Sequence, residues 1–106
     1  MKITFGICTY NRKDILVKSA KSLNAISGIE KVNIRIYDDC SSEFDETELR
    51  ALFPTAKSII VRPENVGADM NTALMFEDFL TTEDEYLVVA DADLIYRRDC
   101  LKVCVK

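Results

Sequence analysis

Four short apolar runs, Ile3–Cys8, Val32–Tyr37, Ser58–Val61 and Tyr86–Ala90, recur at intervals of roughly 30 residues, the length of a strand–helix–strand unit. The segments between them carry helical periodicity. From Asp14 onward, Leu16, Ala20, Leu23 and Ile26 repeat at three- and four-residue spacings until Gly28, which suits a helix end. Asp45 to Phe53 has acids in its first turn and stops at Pro54. Ala68 to Leu80 is the third helical segment, with Met70 and Leu74 expected to face the core. A fourth helix is expected from Arg97 to Lys106. This β-α-β-α-β-α-β order predicts an α/β fold, a doubly wound, mostly parallel four-stranded sheet with right-handed crossovers and helices on both faces. No repeat, linker or low-complexity segment divides the chain, so 1–106 reads as a single domain.

The last run is apolar without alternation, as in a strand covered on both faces, and it ends in Asp91-Ala92-Asp93. In extended backbone, residues i and i+2 project to the same side, so both carboxylates can face one ligand. Charges that close need water, a cation or a metal to compensate them. Hard oxygen donors of this type suit Mn²⁺ or Mg²⁺, ions that bridge protein carboxylates to substrate phosphates. Roughly one Asp-x-Asp is expected by chance at this aspartate content, so the triplet's position carries the signal. Ligands of open α/β sheets bind beyond the carboxyl ends of the strands. An acidic turn capping the next helix is the structural alternative. Cys8-Thr9-Tyr10-Asn11 and Asp38-Asp39 fall at the corresponding ends of the first two runs, which would put three polar clusters on one rim.

Composition narrows the partners. A net charge of −4 without a basic run argues against a nucleic-acid backbone. No apolar stretch reaches the length of a membrane span, and Met1-Lys2-Ile3-Thr4 leads directly into the first run, so a cytoplasmic protein without a transmembrane segment is expected. Histidine is absent, which excludes His-based triads and His general bases. Of the four cysteines, Cys8 and Cys40 lie near strand ends, while Cys100 and Cys104 are spaced for one helical face; reduced thiols are expected, not a zinc site.

Taken in order, Ile7-Cys8-Thr9-Tyr10-Asn11-Arg12, then Ile36-Tyr37-Asp38-Asp39-Cys40-Ser41, then Glu64-Asn65-Val66-Gly67-Ala68-Asp69-Met70-Asn71, and finally Glu85-Tyr86 to Asp93 resemble the family 2 glycosyltransferases. These are inverting enzymes of the GT-A fold that use nucleotide-activated sugars. The resemblance covers essentially the whole chain. It implies that Cys8, Thr9, Tyr10 and Asn11 line a nucleotide pocket and that Asp39 accepts a hydrogen bond from the base. It implies too that Asn65 and Gly67 form the loop beside the base and that Asp91 faces the ribose or sugar. Asp93 would bind Mn²⁺ or Mg²⁺ on the diphosphate of a nucleotide sugar, a UDP-sugar first. Cys8 stands where proline is usual, Cys40 stands where glycine or asparagine is usual, and the Gly67–Asn71 loop is shorter than the common form.

Members of that family continue into an acceptor-binding half that supplies the general base. By resemblance, then, 1–106 is the N-terminal nucleotide-sugar-binding half, truncated relative to a full enzyme, and no residue in it is assigned as the catalytic base. Family strands pair beside the one ending at Asp91. If that edge is open here, a homo-oligomer through it is expected. Three other readings remain. Leu87 to Asp93 also fits a phosphotransfer enzyme resembling the haloacid dehalogenase superfamily, a phospho-receiver domain shares the βα order, and a non-catalytic nucleotide-binding module needs no acceptor half.

Overall fold

The structure, a computed structural model, describes residues 2–92, 94 and 96, with Asp91 described by its backbone alone. Asp93, Cys100, Cys104 and the helix expected from Arg97 to Lys106 lie outside the described residues. The elements follow the expected order: β1 (Ile3–Thr9), α1 (Lys13–Asn24), a 3-10 turn (Ile29–Lys31), β2 (Asn33–Asp38), α2 (Glu46–Leu52), β3 (Ala56–Val61), α3 (Ala68–Phe79) and β4 (Tyr86–Asp91). The four strands form one sheet in the order β3-β2-β1-β4, and every pairing is parallel. The α/β doubly wound architecture is therefore present.

β1 is central because both of its faces can be covered. Phe5 and Ile7 pair in register with Ile34 and Ile36 of β2 and with Val88 and Ala90 of β4, so these positions make one sheet face apolar. Leu16, Ala20 and Leu23 of α1 and Leu49 of α2 are buried in the cluster on that face. Full burial of a Leu or Ile side chain contributes about 1.5–3 kcal/mol each, which makes this the main cohesive layer. The opposite face presents Thr4, Gly6 and Cys8 to α3. A Cβ on Gly6 would collide with the Met75 sulfur and approach Leu87 Cδ1 to 3.2 Å, so α3 lies tight against the strand there.

The inward face of α3 differs from the expected one. Asn71 and Met75 are its buried residues, whereas Met70 is 52% exposed and Leu74 is only half-buried. The correction has a polar cause. Asn71 is drawn inward because its Nδ2 donates to the Tyr37 carbonyl at 2.9 Å and its Oδ1 accepts from Arg62 Nε at 3.1 Å. Once Asn71 faces in, helical spacing brings Met75 with it.

With α1 and α2 on one face and α3 on the other, the chain changes face between β1 and β4. The carboxyl ends of these two strands flank the switch point of the sheet.

Candidate functional site

All three polar clusters that end β1, β2 and β4 lie on one rim. Thr9 and Asp38 are register partners, as are Cys8 and Asp91, and the Asp39 N–H donates to the Thr9 carbonyl at 3.0 Å. Asp93 is outside the described residues, so only the backbone of Asp91 represents the Asp-x-Asp triplet.

The two adjacent acids after β2 have separate tasks. Asp38, buried at the strand's end, accepts from Thr9 Oγ1 at 2.6 Å and from Ser41 Oγ at 2.7 Å through Oδ1, and from the Ser41 N–H at 2.8 Å through Oδ2. It ties β1 to the sharp turn at Cys40, whose φ of 62° is in the left-handed region. Asp39, also buried, turns the other way and accepts the N–H groups of Val66 and Gly67 at 2.7 and 3.0 Å. Asn65 Nδ2 adds a bond to the Asp39 carbonyl at 3.3 Å. The loop before α3 is thus docked on Asp39.

Asn11 also acts within the loops. Its own φ is 49° and that of Arg12 is 55°, backbone that asparagine tolerates better than most residues. Its Oδ1 accepts the N–H groups of Ser42 and Glu43 at 2.8 and 3.1 Å, and its N–H donates to Ser41 Oγ at 2.7 Å. Glu43 in turn accepts the N–H groups of Arg12 and Lys13 at 3.3 and 3.2 Å, capping α1 from another loop where Arg12 offers no side-chain cap. The β1–α1 and β2–α2 loops are therefore interlocked.

Two adjoining clefts open above these loops. One, of about 300 Å³, is lined by Cys8, Thr9, Tyr10, Asp39, Asn65, Ala68, Asn71 and Thr72. The other, of about 340 Å³, lies towards β4 and shares Cys8, Tyr10 and Ala68 while adding Asn11, Arg12, Ile15, Leu16 and Ala92. Tyr10, 52% exposed, stands at the wall common to both. Of the residues expected to bind nucleotide, Cys8, Thr9, Tyr10, Asn11, Asp39 and Asn65 line these clefts, and Gly67 precedes the lining residue Ala68. Asn71, expected at the start of the helix behind the base loop, lines the cleft as well, whereas Arg12, Ile15 and Thr72 were not foreseen as lining residues. Arg12 follows Asn11 directly in the interlocked turn, and Thr72 lies one residue beyond Asn71 in α3, a surface that strand-end motifs do not reveal. Behind the cleft, Arg62 stacks over the Tyr37 ring at 5.8 Å, and its buried Nη2 has no acceptor among the described residues. Burial and the hydrogen bond to Asp78 push the Tyr37 hydroxyl well above its ordinary pKa, so it stays a donor.

Residues 4–106 match the profile of glycosyl transferase family 2. The chain belongs to this family. Solved structures agree with the fold of the glycosyltransferase domain. It is similar to S. aureus TarS 1–349 at a TM-score of 0.80 and 18% identity, over 98% of this chain and 31% of that one. Against the same protein in complex with UDP, the TM-score is 0.81 at 18% identity and the same coverage. The mannosyltransferase PcManGT from Pyrobaculum calidifontis, in complex with GDP-Man and Mn²⁺, aligns at a TM-score of 0.72 and 21% identity, over 93% of this chain and 30% of that one. No curated protein sequence matches. The glycosyltransferase domain thus has a GT-A fold and spans about a third of the length of these structures. No helix among the described residues is long and apolar enough to cross a membrane.

Proposed function

We propose that this domain binds a nucleoside diphosphate sugar, a UDP-sugar first, as the donor-binding part of an inverting glycosyltransferase in the cytoplasm. The sugar would pass to an acceptor hydroxyl. The observation that carries the reading is the pair of clefts at the sheet's switch point in a chain of glycosyl transferase family 2. Family relatives in fold were captured with UDP and with GDP-Man and Mn²⁺, which supports a nucleotide sugar as the ligand class.

The residues divide the work. Tyr10 offers an exposed aromatic face to the base or ribose at the boundary of the two clefts. Asp39 spends one lone pair of each oxygen on the Val66 and Gly67 N–H groups, and a carboxylate has about four acceptor sites, so a base imide N–H can still be accepted. Cys8, Thr9, Asn11 and Asn65 shape the walls, and Gly67 sets the loop beside the base. Arg12 places an exposed cation in the cleft towards β4, where diphosphate charge would lie. Asp91 closes β4 on this rim and would approach the ribose or sugar, with Asp93 as the metal ligand.

A metal fits the donor chemistry. Asp91 and Asp93 would offer hard carboxylate oxygens at the end of β4, on the rim where the diphosphate would lie. Such a pair suits an ion held by one or two protein carboxylates, as Mn²⁺ and Mg²⁺ commonly are. Mn²⁺ or Mg²⁺ bound there supplies positive charge to the departing nucleoside diphosphate.

Calorimetry with UDP, GDP and ADP, each with and without Mn²⁺, tests the reading. Saturable binding of one diphosphate, weakened by EDTA and weakened further in Asp93→Ala only when Mn²⁺ is present, is the expected result. Absence of binding by all three nucleotides in Mn²⁺ overturns it.

A further inference from the structure

On the opposite rim, at the amino ends of the strands, a cavity of about 450 Å³ opens. Lys2 precedes β1, Lys31 precedes β2, Arg35 lies in β2 and Lys57 in β3, and all four line it. Against these cations stand only Glu83 and Asp84 among the described residues of its wall. The excess is positive in a protein whose formal net charge is −4.

The two acids are already engaged. Asp84 accepts from Asn33 Nδ2 at 3.1 Å (Oδ1) and 2.8 Å (Oδ2), and Oδ2 accepts from Thr4 Oγ1 as well. Glu83 pairs with Lys2 at 3.5 Å, both side chains being well exposed. Arg35 and Lys57 lie near enough to Asp84 for their charges to hold its carboxyl below the usual range, yet the hydrogen bonds of Arg35 are poorly matched. One N–H reaches Ser58 Oγ at a long 3.4 Å, while the buried Nε has no acceptor among the described residues. A guanidinium whose buried Nε lacks an acceptor is held at a cost that an anion on the same fork would offset.

The simplest structural use for such cations would be to compensate the carboxyl end of α3. That end is served by other groups. The Thr81 and Thr82 hydroxyls donate to the Asp78 and Phe79 carbonyls, each at 2.7 Å, and the Leu80 N–H donates to the Phe76 carbonyl.

We propose that this basin is a second anion site, separate from the nucleotide cleft, that takes the phosphate group of a small ligand on the Arg35 guanidinium with Lys31 and Lys57 beside it. Arginine's planar fork matches phosphate oxygens in pairs, while the lysines add charge from the rim. The site does not depend on the donor reading, and its residues share no side chain with the rim that reading uses.

Amide NMR on the chain, titrated at constant ionic strength with inorganic phosphate and separately with glucose 1-phosphate, provides the test. Saturable shifts are expected at Lys31, Asn33, Arg35 and Lys57, with Thr9, Asp39 and Gly67 unmoved. Tighter binding of the sugar phosphate would identify an organic phosphate as the ligand; equal binding would identify phosphate alone. Arg35→Lys retains the charge and loses the fork, so affinity should fall about tenfold. Lys57→Gln, at an exposed position, is the second variant and should weaken binding about threefold with the fold undisturbed. Shifts that grow linearly without saturation, or affinities unchanged in both variants, overturn the proposal.

Discussion

Asp39 holds Gly67 through its side chain: Oδ2 accepts the Gly67 N–H at 3.0 Å, and Oδ1 accepts the neighbouring Val66 N–H at 2.7 Å. Asp39→Asn keeps the shape but turns one acceptor into an NH₂ group facing another N–H. Leaving a buried donor unmatched costs about 1–3 kcal/mol. The urea midpoint should fall accordingly, and UDP affinity should fall with it because the loop is no longer docked.

Two glycines separate backbone strain from crowding. At Gly67, φ is 90° and a Cβ would meet nothing within 4 Å, so Gly67→Ala should lose roughly 1–3 kcal/mol through conformation alone. At Gly6 the obstacle is Met75, and Gly6→Ala should lose a similar 1–3 kcal/mol through overpacking. Met75→Ala should relieve the second loss and leave the first untouched. Denaturation of the single and double variants measures that coupling.

Asn11→Ala removes the oxygen that accepts the Ser42 and Glu43 N–H groups and places alanine at a φ of 49°. Stability should drop by about 1–3 kcal/mol. Hydrogen exchange should locate the effect, with faster exchange at Ser42, Glu43, Arg12 and Lys13 and unchanged protection at Ile34 and Ile36 in β2.

Asp84 gives a pH signature. Desolvation acts to raise its pKa, but the hydrogen bonds from Asn33 and Thr4 and the charges of Arg35 and Lys57 together hold it below the ordinary 3.8. A depressed carboxylate stabilises the fold above its unfolded pKa and loses that contribution as pH falls through the folded value. Asp84→Asn should therefore be less stable than the parent at pH 7, and the gap should close below pH about 3.8. Urea midpoints at both pH values check this.

β4 is an edge strand among the described residues, with Tyr86 54% and Val89 48% exposed and neither Lys nor Pro within it. Such an edge is a template for pairing between chains. Self-association is expected at high micromolar concentration, and Val89→Lys should abolish it. Sedimentation of both proteins measures the difference, and a parent that stays monomeric contradicts the expectation.

The succession of elements along the chain and the shared rim were readable from the sequence because apolar runs, breakers and carboxyl-end polar clusters are local signals; the order of the strands within the sheet was not. The face of α3 was misread for a physical reason. Periodicity treats Asn71 as polar and therefore outward, yet Tyr37 and Arg62 supply partners that make its burial favourable. The division of labour between Asp38 and Asp39 was likewise hidden, since adjacent residues in extended backbone point apart and their partners, Thr9 and Gly67, are distant in sequence. The Glu43 cap on α1 depends on the interlock of two loops, for which no spacing rule exists.

The strand order has a kinetic consequence. Of the four described strands, β1 precedes the others and lies inside the sheet, but its β4 neighbour comes about 80 residues later, with Ile3 pairing to Tyr86 and the Glu85 N–H reaching the Lys2 carbonyl. During synthesis β1, β2 and β3 can join as each crossover emerges, while one side of β1 waits until Tyr86 to Asp91 has been made. Closing so distant a pair is entropically slow. The cleft towards β4 should therefore mature after the cleft beside Asp39, and a nascent chain would gain affinity for its ligand only when β4 docks.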